Sequence, residues 1–476
     1  MKKTLLTAGI LLCAIVRVTM AYGQVPEERE LKSGWGFGTL PCATYSTDMG
    51  FQYGIFGDFY NYGDESSYPN YREKIGYEVS HFTKGRTRLY LSYDNRYLIP
   101  GVRTTVSATY IDDPLYNFYG FNGAASPMYD DLMSNKDYSG QALSGKIPAA
   151  NLPLYGLMGV DPLQSGISYY YMKRDIIRVL ADFQGQIVPG LRWAGGLSFW
   201  NFRMGDMNAK YGYDANSTMF RHYKDFGVLK DGEADGGSRL ELKAGLVYDS
   251  RDNEAAPNRG MWSELYLNGS PDLFGDGFNY LKLCAHFRHY VSIPLGLKAG
   301  DPVFAYHLAY QGTVAGEAPY YIQQNITALI LKQMVSEGLG SSNSIRGTRA
   351  NRLIGDGYLW GNFELRVKIV NFKLLGQYFY LAANPFLDCG MIVQPYRAAE
   401  MSRLPEIAAL ATAAGYDPGN AEKYVRDKAG EFICSGGAGL KLAWNQNFII
   451  SLEIAHNFNN GIGDPFWMSI GTNYNF

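Results

Sequence analysis

Charged residues in the second half of the chain have the types and spacing of an ion pair rather than of a reaction centre. Arg346 lies beside Gly347 in a segment that connects two predicted strands. Glu364 and Asp388 fall on the two strands that follow, at alternating positions that predict a shared face. A guanidinium in contact with these carboxylates would hold the connecting segment against the two strands through charge-assisted hydrogen bonds. In a partly solvated interior this pair would add only about 1 kcal/mol and would mainly fix geometry.

A hydrolytic centre has little support in the sequence. Such a site needs a nucleophile, a histidine and an orienting polar group within reach of one another. The histidines are scattered, no G-x-S-x-G segment is present, and the glycine-rich run at 436–439 lies inside a predicted strand. His286 and His307 share a face on adjacent predicted strands, which favours a hydrogen-bonded pair in the wall. We therefore predict no enzyme activity, no cofactor and no metal.

The cysteines show neither C-x-x-C spacing nor a neighbouring histidine pair. A zinc site or redox motif is therefore not expected. Cys42, Cys284, Cys389 and Cys434 are interpreted as small buried or lipid-facing thiols, and one disulfide among them remains open.

The first residues have the form of a secretory signal peptide. Lys2 and Lys3 precede a short apolar stretch from Leu5 to Val16, and Ala21-Tyr22-Gly23 provides a small-x-small cleavage site. The predicted organisation is a signal peptide over 1–23, a short N-terminal segment over 24–33 and one barrel domain over 34–476.

Composition excludes several classes of protein. The 43 Lys and Arg residues against 45 Asp and Glu give a net charge of −2, so no basic field recruits nucleic acid. Aromatic residues make up 15% of the chain and charged residues 18%, which excludes a disordered chain. Beyond the signal peptide no run of about 18 apolar residues could form a membrane helix. The 55 glycines and 38 tyrosines instead fit many alternating strands.

Alternation along these strands gives one apolar face and one polar face. In the strand around Glu364, residues 359–369 place apolar side chains at odd positions and Asn362, Glu364, Arg366 and Lys368 at even ones. The last eleven residues also separate by parity, with the apolar set at Phe466, Met468, Ile470, Thr472, Tyr474 and Phe476. A soluble sandwich would bury the apolar face, whereas a membrane barrel turns it outward. The signal peptide and strand lengths of roughly 10 to 14 residues favour a bacterial outer-membrane barrel.

The fold predicted from this pattern is all-β, a 16-stranded transmembrane antiparallel β-barrel with an inward-folded extracellular loop. Alternation predicts fifteen strands, and a sixteenth at about 34–45 gives the even number that a closed barrel needs. Pro100-Gly101 and Pro189-Gly190 predict periplasmic turns. Four stretches are long enough for extracellular or lumenal loops: 113–167, 204–236, 313–356 and 394–431. Within the last of these, 398–429 is compatible with a short helix or a solvated loop.

Several motifs resemble the BamA/TamA-type (bacterial surface antigen) superfamily of outer-membrane assembly and secretion barrels. Residues 340–348, GSSNSIRGT, are similar to its GG-x-x-S-[VLI]-R-G-[YF] loop, with Thr348 in place of the aromatic residue. Residues 361–366 match its N-x-E-[LY]-R strand, and 386–390 match its F-x-D-x-G strand. Residues 249–260 fit a D-x-R-D-N…P-x-x-G turn. Each motif is weak alone, but in this order and spacing the motifs are a strong signature. Together with a fainter N-terminal pattern, the resemblance covers nearly the whole mature chain.

The resemblance implies roles for two sets of residues. In the family the inward loop is the structural lock of the barrel, so Arg346, Gly347, Glu364 and Asp388 are expected to form a lumenal loop lock. The final strand resembles the signal that barrel assembly machinery recognises, and this role falls to the lipid-facing residues Met468, Tyr474 and Phe476. The family's seam between the first and last strands is weakly paired. Two interpretations of Gly471 are open here: it loosens the seam, or it merely accommodates packing, which is the commoner role of a lone strand glycine.

The implied function is non-catalytic assistance to outer-membrane protein assembly, or export or surface display of a partner. Family members usually carry periplasmic POTRA domains, whereas Gln24 to Ser33 is too short for even one. Client capture would then need a periplasmic protein or a lipoprotein as a partner. Other expected partners are outer-membrane lipids and the assembly machinery that inserts the barrel, with no nucleic acid. The alternative is a passive pore or structural barrel whose inward loop narrows the lumen.

Overall fold

The computed structural model describes residues 33–46, 50–64, 71–123, 170–207, 218–225, 227–325, 337–374, 377–401, 409, 428, 432–444, 448–459, 467–472, 474 and 476. The predicted signal peptide, nearly all of segment 24–33 and Phe466 lie outside the described residues.

The described residues form sixteen antiparallel strands that close into one barrel, matching the predicted architecture. Each strand pairs with its neighbours in sequence, and β1 meets β16. The strands are β1 Trp35–Ser46, β2 Gly50–Asn61, β3 Glu73–Phe82, β4 Thr87–Ile99, β5 Val102–Asn117, β6 Tyr171–Val188, β7 Leu191–Gly205, β8 Gly236–Asp249, β9 Gly260–Ser270, β10 Tyr280–Ser292, β11 Val303–Gly316, β12 Gly357–Leu374, β13 Gln377–Gln394, β14 Ile433–Trp444, β15 Phe448–Asn457 and β16 Trp467–Thr472.

The barrel wall has apolar side chains on its outer face and polar ones on its inner face, the reverse of a soluble protein. On β8, Leu242 is 54% exposed, whereas Arg239 on the opposite face is fully buried. On β10, Lys282, Cys284, His286 and Arg288 share one face and are all buried. Charged side chains thus line the interior and aliphatic ones cover the outside, as a lipid-embedded barrel requires.

One end of the barrel carries the four long connections, and we call it the loop end; the opposite end is the turn end. At the loop end, aromatic residues from several connections pack into one buried cluster, the loop-end cap, whose rings include Phe118, Phe121, Tyr223, Tyr320 and Tyr396. The described parts of these connections contain three short helices: α1 Met219–Asp225, α2 Tyr320–Gln323 and α3 Ala398–Met401. The third falls in the stretch for which a helix or a loop was expected.

The amide of Asn122 joins two of the connections that build this cap. It donates to the backbone oxygen of Tyr396 at 2.7 Å and accepts from the backbone N–H of Tyr396 at 2.6 Å. Both residues are buried. The cap is therefore a packed and hydrogen-bonded closure of the loop end.

At the turn end, residues 250–259 fold into the lumen, and we call them the inward turn. Glu254 reaches the wall at β4 and β5, where its Oε1 accepts from Arg96 at 2.5 Å and from Arg103 at 3.2 Å. Ala256 packs against the buried cluster of Tyr380, Ala382, Ala443, Ile449 and Tyr474. The D-x-R-D-N…P-x-x-G motif therefore encodes a segment that crosses the lumen.

The C-terminal residues depart from the predicted pattern. Met468 faces outward as expected, because it pairs with Ile454 on the outward face of β15. Strand β16 ends at Thr472, however, and Tyr474 and Phe476 are buried inside the lumen at 8% and 5% exposure. The prediction that these two side chains face lipid is therefore wrong. Parity holds only while a residue belongs to the ladder, and both residues lie beyond it.

Cys389 and Cys434 form a disulfide, so their interpretation as thiols is wrong. They lie directly opposite one another on β13 and β14, with their Cα atoms 4.2 Å apart. Sequence spacing could not reveal this pairing, because it depends on the register of two strands separated by a long loop. Cys42 and Cys284 are free and buried.

Among the described residues, the seam between β1 and β16 has the shortest ladder of the barrel. Strand β1 pairs with β2 from Trp35 to Ser46, but its described ladder with β16 consists of the single pair Ser46 and Ser469. Towards the turn end, Phe56 of β2 stacks on Phe448 of β15, with ring centroids 6.2 Å apart. Side-chain contact, rather than ladder hydrogen bonding, joins the two edges there.

Candidate functional site

The connection between β11 and β12 brings Arg346 into the lumen. Its Nε and Nη2 donate to the two carboxylate oxygens of Asp388, at 2.7 and 2.9 Å. Its Nη1 donates to Glu364 at 2.7 Å and to Glu453 at 2.9 Å. The guanidinium carbon also lies 3.5 Å from the centre of the Phe386 ring. Three strands, β12, β13 and β15, thus hold one loop side chain.

Two further cations complete the cluster. Arg366 donates to the second oxygen of Glu364 at 2.9 Å, and Lys441 donates to Glu453 at 2.7 Å. Together with Arg346 they balance three carboxylates, those of Glu364, Asp388 and Glu453. Alternation predicted that Arg366 lies on the polar face of its strand, but Arg366, Lys441 and Glu453 were not predicted to belong to the site. Alternation predicts the direction of a side chain, but not which strands the loop contacts.

The loop backbone around Arg346 also makes hydrogen bonds and close contacts with the barrel wall. The Arg346 N–H donates to Asp388 at 3.1 Å, and the Asn362 amide donates to the Ser344 carbonyl oxygen at 2.5 Å. Gly347 has φ +85, and a Cβ added there would lie 3.2 Å from Cβ of Ala455. Glycine therefore suits both the positive φ and the close approach to β15, where an added Cβ would make a tight contact.

This site is dry, contrary to the expectation of a partly solvated lumen. The side chains of Arg346, Glu364 and Asp388 are all at 0% exposure. The loop-end cap lies on one side of this level of the lumen, and the inward turn lies on the other. Charges removed from water depend strongly on their partners, so loss of one partner should cost far more than the predicted 1 kcal/mol.

The two histidines of the wall are adjacent, as the sequence indicated. His286 Nδ1 lies 3.0 Å from His307 Nε2, and His307 Nδ1 lies 3.0 Å from the Asn362 side-chain oxygen. The pair therefore extends the network behind the inward loop. Within the part of the chain that the structure describes, no three His, Cys, Asp or Glu side chains are grouped to hold a metal ion. Nor is any helix in those residues long and apolar enough to cross a membrane.

Fold and site together define the class of protein: an outer-membrane β-barrel with a connecting loop anchored inside its lumen. A family model described as the Omp85 superfamily domain matches residues 201–474. The chain belongs to the Omp85 superfamily and is located in the outer membrane. No curated protein matches the sequence.

Solved structures show the same fold at low sequence identity. BamA from Haemophilus ducreyi lacking POTRA domains 1-3 aligns with a TM-score of 0.50 and 12% identity, covering 98% of this chain and 79% of that one. CdiB from Escherichia coli aligns with a TM-score of 0.51 and 10% identity, covering 94% of this chain. The alignment spans only 66% of that CdiB chain.

Proposed function

We propose that this chain is a non-catalytic barrel that assists outer-membrane protein assembly, or the export or surface display of a partner. The observation that carries the proposal is the seam. A seam with one described ladder pair leaves the β1 edge from Trp35 to Thr44 outside any described pairing with β16, so an incoming strand could pair with it. The other strand pairs of the barrel are joined over six or more positions, so a lateral opening would start here.

The lumenal loop lock gives this opening a fixed frame. Arg346 ties the loop to β12, β13 and β15, on the C-terminal side of the seam. The C-terminal side of the wall would therefore stay in place while the β1 edge moves. The passive-pore alternative is less favoured, because the loop-end cap and the inward turn occupy the two ends of the lumen.

A crosslink across the seam tests the proposal. Cysteines at Ser46 and Ser469 would join the two edges in a barrel whose Cys42 and Cys284 are replaced by Ser. Folding of an unfolded outer-membrane client into vesicles that contain the barrel is then followed by heat-modifiable gel mobility. We expect the oxidised seam to abolish assistance and reductant to restore it.

The matched control places cysteines at Ser92 and Ser107, a directly opposed pair on β4 and β5. That crosslink should leave assistance unchanged. Full assistance with an oxidised seam would contradict a seam-based mechanism. A steady current through purified wild-type barrel in planar bilayers, with no effect on client folding, would favour the pore.

Client capture is proposed to depend on a second protein, either periplasmic or a lipoprotein. A mild-detergent pull-down from native membranes, analysed by mass spectrometry, should recover it with the barrel. Recovery of the barrel alone would count against this part of the proposal.

A further inference from the structure

Tyr474 and Phe476 occupy a built pocket in the turn-end half of the lumen, which we call the tail pocket. Phe476 joins a buried cluster that includes Trp262, Tyr290 and Val303. Tyr474 joins a second cluster that includes Tyr380. The pocket therefore offers two aromatic subsites, one for each side chain.

Arg366 lies between the two subsites. Its guanidinium carbon is 4.0 Å from the centre of the Tyr474 ring and 5.1 Å from that of Phe476. Its Nη2 donates to the backbone oxygen of Phe476 at 2.7 Å. One cation thus contacts both rings and the peptide backbone, a combination that selects geometry as well as apolar area.

The tail leaves part of this pocket unused. Among the described residues, Arg366 Nη1 and the Tyr290 hydroxyl are buried without a hydrogen-bond partner. Arg366 itself is 5% exposed. Buried donors without acceptors are costly, so a segment that supplied another oxygen would satisfy the pocket better than the tail does.

The tail can also leave without breaking the wall. The described ladder between β15 and β16 ends at the pair of Ile450 with Thr472, before the two aromatic residues. Neither Tyr474 nor Phe476 belongs to a described strand pair, and the tail pocket holds both side chains. Their departure would cost the contacts described above and no described ladder pair.

We propose that the tail pocket is a binding site for a peptide segment with aromatic side chains two positions apart, and that Tyr474 and Phe476 occupy it as a displaceable internal ligand. Arg366 recognises the backbone oxygen and both rings of the bound segment. This proposal does not depend on the assembly role. A peptide could replace the tail in the pocket whether or not the barrel assists the folding of a client.

The test uses a fluorescent peptide that copies residues 467–476 and a barrel carrying Tyr474→Ala and Phe476→Ala, reconstituted in nanodiscs. The peptide should bind this variant at least about tenfold more tightly than wild type, because the tethered tail competes at high effective concentration. A peptide with both aromatic residues replaced by Ala should not bind. Equal binding of the two peptides would overturn the proposal.

Two further substitutions locate the binding. In the variant with the emptied pocket, Arg366→Gln and Tyr290→Ala should each weaken binding at least about tenfold, as expected on losing a buried charged hydrogen bond or an aromatic wall. Lys298→Gln, at an exposed position of the turn end, is the charge-matched control and should have no effect. Heat-modifiable gel mobility verifies that each barrel is folded. Binding that survives both pocket substitutions would place the peptide elsewhere, for example on the edge of β1, and would refute the proposed site.

Discussion

Arg346 and Asp388 form a bidentate ion pair. Arg346 Nε lies 2.7 Å from Asp388 Oδ2, and Arg346 Nη2 lies 2.9 Å from Asp388 Oδ1. The backbone N–H of Arg346 donates to the same carboxylate at 3.1 Å. Asp388 therefore fixes both the guanidinium and the peptide unit of the loop. This arrangement specifies arginine and not merely a positive charge.

Arg346→Lys should consequently destabilise the barrel even though it keeps the charge. A lysine cannot reproduce the fork, and part of the buried carboxylate cluster would be left without donors. We expect a loss of roughly 2–3 kcal/mol in the free energy of unfolding, measured by urea titration in lipid vesicles. Arg259→Lys, at an exposed position of the inward turn, is the control. Equal stability of the Arg346→Lys barrel and the control would contradict the role of the fork.

Gly347→Ala should loosen the same loop through the backbone. The added Cβ would meet β15 at 3.2 Å, in addition to the strain of φ +85. Gly275→Ala is a matched control, because its φ of +74 carries a similar strain with nothing within 4 Å of the added Cβ. We expect Gly347→Ala to lower the unfolding free energy by about 1–2 kcal/mol more than Gly275→Ala does, the excess being the cost of overpacking. An equal loss in the two variants would mean that packing against β15 is unimportant.

Sequence patterns predicted the strands well because each strand carries its own information. Alternation assigned Glu364 and Asp388 to the lumen from their immediate neighbours alone, and the structure confirms both directions. The motif around Arg346 indicated an inward loop, and the loop does lie inside the barrel. Both predictions needed only the local sequence of a single strand or loop.

The parts that were missed depend on contacts between distant segments. The Cys389–Cys434 disulfide depends on the register across a long loop. Glu453 enters the site only because β15 lies next to the loop. Tyr474 and Phe476 turn inward after their ladder ends, where alternation no longer predicts direction. Arg366 was correctly predicted to face the lumen, but its contacts with Tyr474 and Phe476 were not predicted.

The disulfide should make a measurable contribution to stability. It closes a loop between residues 45 apart in sequence, which the chain-entropy treatment values at roughly 4 kcal/mol. The Cys389→Ser, Cys434→Ser double variant should therefore unfold at lower urea, and reductant should have the same effect on the wild type. Cys42→Ser provides the control, since Cys42 is free and buried. A reductant-insensitive midpoint would show that the bridge adds no stability.

Asn122→Gly should weaken the loop-end cap. Asn122 has φ 63, which glycine adopts readily, so the substitution mainly removes its two hydrogen bonds to Tyr396. We expect brief conducting events in planar bilayers that the wild type lacks, together with faster cleavage by added protease. A barrel that stays as closed as the wild type would indicate that aromatic packing alone maintains the cap.

Glu254 gives the inward turn a defined dependence on pH. Burial by itself would raise the pKa of this carboxyl, but Arg103, Arg96 and Arg251 outweigh it and hold the pKa well below its usual range. A carboxyl with a lower pKa in the folded state stabilises fully above its unfolded value, near pH 4.3, and loses that contribution as the pH falls. The difference in unfolding free energy between wild type and Glu254→Gln should therefore be constant from pH 7 to 5 and shrink below about pH 4. A difference unchanged between pH 7 and 3 would show that Glu254 has no such charge coupling to β4 and β5, and that the inward turn is held by packing.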